Sequence, residues 1–317
     1  MFSDDVETRA LRADEIRVRV ASTSICGTDL KNFVNPVMVP QILGHEFSGT
    51  VIEVAPGADH SIRVGQRVTA FPMITCMQCA ACRSGHRRDC ENKLSLGFQL
   101  PGSFAQEIIF DGRFAVPLHD DITFEQGALV EHLACGYRIA KEVQFVYPER
   151  QAKIVILGDG PIAIADVQAL RDSGYYNITV VGKHAARIAI AESYGATVRY
   201  HNDCASIQRV DVCIMAAPAS STLGRFISSM TAGAVLFPQT RFDDSILSIA
   251  RERGIRMGRA FAYHIEDFNE VMARMRSGAF VTSSVVTTRI ALKEAAPMIA
   301  ALSSDKANHI KVLIGVD

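Results

Sequence analysis

Cys76, Cys79, Cys82 and Cys90 follow the spacing C-x2-C-x2-C-x7-C within TCMQCAACRSGHRRDCEN. Thiolates this close in sequence converge on one tetrahedral ion without distorting the backbone, and a closed four-sulfur shell is a structural zinc site. Disulfide pairing is the competing reading. Cysteines three residues apart bridge poorly, and Cys26, Cys135, Cys204 and Cys213 show no pairing pattern, so the spacing predicts zinc. A second set is looser: Cys26 in ICGTDLK, His45 and Glu46 in LGHEFSG, and Glu131 in LVEHLA. Cysteine, histidine and carboxylate from separate segments can form an open site that keeps a position for water or substrate. Taken singly, each has a plainer reading, as a core cysteine, a satisfied histidine or a charge on a helix surface.

A third pattern, Gly158-x-Gly160-x-x-Ala163 in IVILGDGPIA, follows a strand and opens a helix. Gly158 permits a tight turn, Gly160 lets the backbone approach a pyrophosphate, and Ala163 allows close helix–strand packing. Pro161 and Ile162 fall in the helix's first turn, where N–H groups and the dipole favour phosphate. Asp159 puts a carboxylate into this loop, so it is expected to point outward or to lower affinity. NAD calls for an acid at the end of the second strand, to accept the ribose 2′-hydroxyl. The chain has Val181-Gly182-Lys183-His184 there. Gly182 leaves room for a 2′-phosphate, and Lys183, His184 and Arg187 supply charge. These residues could instead cap a solvated helix, but cations in a first turn oppose the helix dipole. The sequence therefore predicts NADP(H) over NAD(H).

The elements that must position these residues change character along the chain. Residues 15 to about 125 read as short strands, EIRVRV, EFSGTVIEVA, QRVTAFP and SFAQEIIF, stopped by turn signals such as Pro56-Gly57. Helix begins near Phe124 with TFEQGALVEHLACGYRIAK. From Lys153 the strands KIVIL, NITVV, TVRY, VDVCIM, GAVLF and GIRMGR alternate with the helices ADVQALRDSG, ARIAIAESYG and STLGRFISSM. That rhythm requires a parallel, doubly wound sheet. After Ala262 come the amphipathic helix IEDFNEVMARMRSG, a strand VTSSVVTTR, a further helix and the strand HIKVLIGV. The closing segment is expected to complete the first domain's sheet, giving a first domain of 1–125 plus 263–317 and a second of 126–262.

The stretches CGTDL (26–30), GHEFSGTVIEV (44–54), the four-cysteine lobe, GSFAQ (102–106), EHLA (131–134) and LGDGPIA (157–163) run in an order similar to that of the zinc-containing medium-chain dehydrogenase/reductases. The chain resembles that family, which includes alcohol, sorbitol and threonine dehydrogenases, over nearly its whole length. The resemblance implies an α/β chain with a GroES-like β-rich catalytic domain and a doubly wound Rossmann domain. It implies Cys26, His45 and Glu131 as catalytic zinc ligands, with Glu46 able to enter or leave the shell, and hence two zinc ions per chain. Asp29 is then the partner that orients His45, and Thr28 the hydroxyl that passes the substrate's proton outward. A glutamate at 131 is similar to the polyol, sugar and threonine branch, which points to a secondary alcohol. Lys31 departs from the histidine that often ends the proton relay, so lysine or water takes that role, and His132 replaces a common proline. The loop between Leu30 and Gly44 is compact, implying a more open substrate mouth. The family also implies a homodimer or homotetramer joined at the nucleotide domain's sheet edge, GIRMGR with AVLF beside it.

The bulk numbers agree with such an enzyme. With 317 residues, 48% hydrophobic and 21% charged, the chain can bury about two domain cores. A net charge of -1 gives no nucleic-acid footprint and no polybasic membrane patch. The start, MFSDDVETRALR, lacks the apolar region of a secretory signal, and Asp159 and Asp166 interrupt the longest apolar stretch. Eight cysteines without such a signal imply a reducing, cytoplasmic setting. The resulting expectation is a zinc-dependent hydride transfer between NADP(H) and a secondary alcohol or ketone of polyol, sugar, cyclitol or hydroxy-amino-acid type. Two other classes compete. A zinc-free quinone or enone reductase would lack zinc, and a non-catalytic binding module would hold NADPH without turnover.

Overall fold

The computed structural model describes residues 9–34, 42–218, 224, 226–240, 244–260, 263–304 and 307–316. The chain's first residues, most of the loop between Leu30 and Gly44, and the beginning of the helix expected at STLGRFISSM lie outside the described residues. The chain divides into two compact units, one of Met1–Glu131, His264–Arg276 and Val286–Asp317, the other of His132–Tyr263 and Ser277–Val285.

In the first unit, strands β1 (Glu15–Ser24), β2 (Glu46–Val54), β3 (Arg67–Ala70), β6 (Glu107–Asp111) and β7 (Ala115–Pro117) form a seven-stranded sheet with β14 (Val286–Ala291) and β15 (Lys311–Gly315). The short β4 (Met73–Ile74) and β5 (Leu94–Ser95) pair separately. The sheet order is β14-β15-β1-β2-β3-β7, with β6 also on β1. Along β1, Ile16, Val18 and Val20 are buried and alternate with Arg17 and Arg19, the period-two pattern of a strand with one face on a core. They pack with Phe47, Val51, Val68 and Phe110, and the Phe47 and Phe110 rings meet edge-to-face with centroids 5.8 Å apart. The last residues of β1, Ser22, Thr23 and Ser24, are polar yet buried. Ser24 sits between Glu46 of β2 and Leu313 of β15, so the closing strand flanks the strand that leads to Cys26. A helix not read from the sequence, α1 (Gly27–Val34), follows at once. The helical stretch that the sequence places near Phe124 divides into α3 (Phe124–Gly127), started by a Thr123–Gln126 capping box, and α4 (Val130–Val146).

The second unit holds β8 (Ile154–Leu157), β9 (Ile178–Gly182), β10 (Thr197–Tyr200), β11 (Val210–Met215), β12 (Met230–Pro238) and β13 (Arg256–Met257). They run in the order β10-β9-β8-β11-β12-β13, and all neighbours are parallel. The order reverses after β8, the first strand, as in a doubly wound dinucleotide fold. Every residue of β8 and of β9 is buried, as a parallel sheet covered on both faces requires. The helix α5 (Pro161–Asp172) is buried at every position from Ala163 to Leu170. Its polar members therefore need partners inside the unit.

Two boundaries differ from the sequence reading. The sequence places Ser277–Val285 in the first domain, but this segment packs with the second because the Gln168 side chain clasps it. Gln168 donates to the Val281 carbonyl at 3.2 Å and accepts the Val281 N–H at 2.6 Å. The helix expected to run to Met230 does not do so. Ile227–Ser229 is a 3-10 turn, and Met230 already opens β12.

Candidate metal centres and dinucleotide site

The four-cysteine lobe is built from turns. Cys79 caps the short helix α2 (Ala80–Arg83), Cys82 lies within it, and Cys90 ends the 3-10 turn Arg87–Asp89. Met77 and Gly85 adopt positive φ, 57° and 83°, to turn the chain between sulfurs. All four ligand atoms lie within 4.8 Å of one another. The Cys76 sulfur is 4.0 Å from that of Cys82 and 3.6 Å from that of Cys90. A disulfide needs about 2.05 Å, whereas a tetrahedron with zinc–sulfur bonds of about 2.3 Å has edges of about 3.8 Å. The cluster fits zinc and not a bridge. N–H groups of Gln78 and Cys79 directed at the Cys76 sulfur bring its thiol down to about 6, while burial pushes Cys82 up to about 11.

The second cluster forms where β1, α1 and β2 meet. Cys26 joins β1 to α1, and the fully buried carboxylate of Asp29 accepts the Cys26 N–H at 2.8 Å and the Gly44 N–H at 3.2 Å. One side chain thus fixes both chain segments that deliver candidate ligands. Gly44 has φ +95°, and a Cβ there would meet Ser103 and Phe104 at 2.7 Å or less. Only glycine makes the turn before His45. His45 is buried beside the Phe98 ring, 5.4 Å away, with Nδ1 3.6 Å from Asp29 Oδ1. That separation is too long for a hydrogen bond and acts as a charge contact. Burial opposes a charge on His45, but Asp29 outweighs it and moves the imidazole well above its ordinary pKa.

Donor atoms of Cys26, His45 and Glu46 lie within 4.8 Å of one another. Glu131, buried in the first turn of α4, is outside this set. A residue absent from the sequence reading completes the cluster. Lys311, the first residue of β15, is buried and donates to Glu46 Oε1 at 2.6 Å, with Oε2 also in contact. Ser24 Oγ donates to Glu46 as well. Burial works against the Lys311 charge, but Glu46 foremost, then Cys26 and also Glu131, hold its ammonium above the usual lysine range. A lysine within the apolar run of a central strand was the available signal. The donor set fits a metal ion, with Lys311 and Ser24 already bound to the Glu46 carboxylate. Thr28 Oγ1 is buried without a partner, while Lys31 is exposed.

At the head of the second unit, Gly158 has φ +129°, and a Cβ there would lie 2.8 Å from that of Ala217. Gly160 caps α5, with Pro161 at its first position, and nothing stands within 4 Å of where a Gly160 Cβ would be. This open cradle over the first-turn N–H groups of Ile162 and Ala163 fits a pyrophosphate. Ala163 is fully buried.

Asp159 does not point outward. Its carboxylate turns back onto the end of β9 and the start of α6 (Ala185–Ser193), where Oδ2 accepts the N–H groups of Lys183 at 2.6 Å and His184 at 2.7 Å. His184 Nδ1 is 3.0 Å from the same oxygen, and Arg187 Nη1 is 3.8 Å from Oδ1. Burial opposes the charge, yet the two N–H groups hold the carboxyl below its usual range. The space expected beside Gly182 is occupied. A Cβ on Gly182 would sit 2.6 Å from Asp159 Cβ and 2.8 Å from its Oδ2. Arg187 is buried against this carboxylate, and Lys183 is exposed.

Residues 12–120 match the alcohol dehydrogenase GroES-like domain. The L-threonine 3-dehydrogenase of Legionella pneumophila (strain Corby) is 29% identical over 203 residues, 62% of this chain and 58% of that protein. This chain thus matches little more than half the length of that curated relative. A structure described as a short chain alcohol dehydrogenase from E. coli CFT073, complexed with NADH, superposes with a TM-score of 0.86 at 21% identity, covering 98% of this chain and 94% of that one. A zinc-binding dehydrogenase from Sinorhizobium meliloti 1021 bound to NADP gives a TM-score of 0.81 at 25% identity, covering 98% and 94%. Both cofactors occur on this fold.

Proposed function

We propose that this chain, whose residues 12–120 match the alcohol dehydrogenase GroES-like domain, is a medium-chain alcohol dehydrogenase that moves a hydride between a nicotinamide dinucleotide and a secondary alcohol or its ketone. The convergence of the Cys26, His45 and Glu46 donors within 4.8 Å carries this reading. A zinc ion held there supplies Lewis-acid polarisation of the alcohol oxygen, and the nicotinamide supplies the hydride acceptor. Cys26, His45 and Glu131 are the proposed residues that would hold the zinc ion, with Glu46 as a further carboxylate. Asp29 keeps Cys26 and His45 in register. Thr28 Oγ1, buried and unpartnered, is the proposed acceptor of the hydroxyl proton, which Lys31 or water then carries outward. The Gly158–Ala163 turn holds the pyrophosphate.

Glu131 in the polyol, sugar and threonine pattern, with a threonine dehydrogenase among the relatives, supports a polyol, sugar, cyclitol or hydroxy-amino-acid substrate. Among the described residues no helix is long and apolar enough to cross a membrane. A cytoplasmic setting belongs to the proposal on the strength of the eight cysteines, none of them in a disulfide. A homo-oligomer paired through the edge strand β13 is also part of it, and light scattering at micromolar concentration checks this. The deciding experiment is metal analysis with turnover on secondary alcohols, using NAD+ and NADP+. The proposal expects two zinc ions per chain and turnover that collapses in Cys26→Ser while dinucleotide binding persists. Zinc-free active protein would instead favour a quinone or enone reductase.

A further inference from the structure

In a doubly wound fold, the adenosine ribose of a dinucleotide held at the first βα turn comes to the end of the second strand. Here that strand, β9, ends in Gly182, yet a carboxylate stands at the spot. It comes from Asp159, within the phosphate loop itself, and it fills the volume a side chain on Gly182 would claim. The groups that would hold a 2′-phosphate are already directed at it: the N–H groups of Lys183 and His184, the His184 ring and the Arg187 guanidinium. Oδ2 takes both N–H groups. Oδ1 has His184 Nδ1 at 3.2 Å and Arg187 only at 3.8 Å, so it retains a lone pair for a hydroxyl. A dianionic phosphate would meet a fixed negative charge where the cations are engaged, whereas a 2′-hydroxyl would meet an acceptor.

We propose that Asp159 selects the dinucleotide, acting as a built-in anion that occupies the 2′-phosphate site and accepts the ribose 2′-hydroxyl, so that the chain prefers NAD(H). This reverses the preference expected from the sequence and rests on the Gly158–Ala163 turn being the dinucleotide site. Asp159 also ties the phosphate loop to the turn between β9 and α6, a purely structural task, so the test must separate discrimination from folding.

The test is titration of wild type, Asp159→Asn and Asp159→Ala with NADH and NADPH, followed by nicotinamide fluorescence, with 5′-AMP and 2′,5′-ADP compared by calorimetry. Wild type is expected to bind NADH more tightly than NADPH by about tenfold or more, a difference of ~1.4 kcal/mol. In Asp159→Ala the order inverts, because the Lys183 and His184 N–H groups lose their acceptor and the negative charge facing the phosphate is gone. NADPH binding to that variant weakens with salt. Asp159→Asn keeps the shape and a hydroxyl acceptor but not the charge, so its NADH/NADPH ratio falls between the two; it decides the matter if the alanine variant fails to fold. Wild type binding NADPH as tightly as NADH, or a ratio unchanged in Asp159→Asn, overturns the proposal while leaving the dinucleotide site intact. Binding of neither dinucleotide overturns that site and the selector together.

Discussion

The Lys311 ammonium and the Glu46 carboxylate meet across 265 residues of sequence, each side chain 1% exposed. Such a pair is worth little net against an apolar replacement, but removing one partner strands the other charge. Lys311→Met is expected to cost about 3–5 kcal/mol, read by urea unfolding of the metal-free protein, and Lys311→Arg much less. The double variant Lys311→Met, Glu46→Gln should recover a large part of that loss. If the double variant is as unstable as the single, the charge pair is not what holds this corner.

The structural lobe is expected to fail separately from the rest. Its core is chiefly the four sulfurs, so Cys82→Ser should lose one zinc per chain and make residues 75–95 sensitive to protease. NADH binding by the second unit should be unaffected. Retention of both zinc ions in Cys82→Ser would remove the cluster from the metal assignment.

Asp166 gives a pH signature. It is fully buried in α5, with Oδ1 accepting from Gln239 Nε2 at 3.0 Å and Oδ2 without a partner. Burial pushes its carboxyl up to about 8. The folded pKa is above the unfolded one, so the folded state keeps a proton that the unfolded chain releases. The stabilisation is complete below about pH 4 and drains away as pH rises toward about 8, losing ~1.4 kcal/mol for each pH step of one between those limits. Asp166→Asn keeps the Gln239 bond and removes the titration. The variant should exceed wild type by a few kcal/mol at pH 8, with the gap closing toward pH 4. A gap independent of pH would contradict a neutral carboxyl.

Gly182 and Asp159 should behave as one position. Gly182→Asp puts a Cβ 2.6 Å from that of Asp159 and two carboxylates side by side, so it is expected to unfold or aggregate. Combining it with Asp159→Gly moves the acid to the strand end and should restore both solubility and NADH binding. A soluble, dinucleotide-binding single variant would show that the Asp159 carboxylate is not fixed there.

What can be read from the sequence is local. Cysteine spacing, the Gly158-x-Gly160-x-x-Ala163 turn and the strand–helix alternation each lie within a few residues, and the geometry follows from that nearness. Long-range register is hidden. The inward turn of Asp159 depends on N–H groups 24 and 25 residues away, which a loop read alone does not reveal. The helix of Asp244–Glu252 is absent from the sequence reading, although Asp243 just before it is a residue type that starts helices. Glu131 is legible as a motif, but whether its carboxylate joins Cys26 and His45 depends on how the start of α4 sits against β2.

The place of β15 between β14 and β1 has a consequence for synthesis. Strands β1, β2, β3 and β6 are made early, yet the Ser22–Ser24 end of β1 keeps an unpaired edge until residues 311–315 have been made. The second unit, Ser277–Val285 included, is complete in sequence before then and can fold first. Until residues 311–315 have been made, Glu46 lacks the Lys311 cation beside it. The corner that holds Cys26 and His45 is therefore sealed by a strand made after every other strand of its sheet.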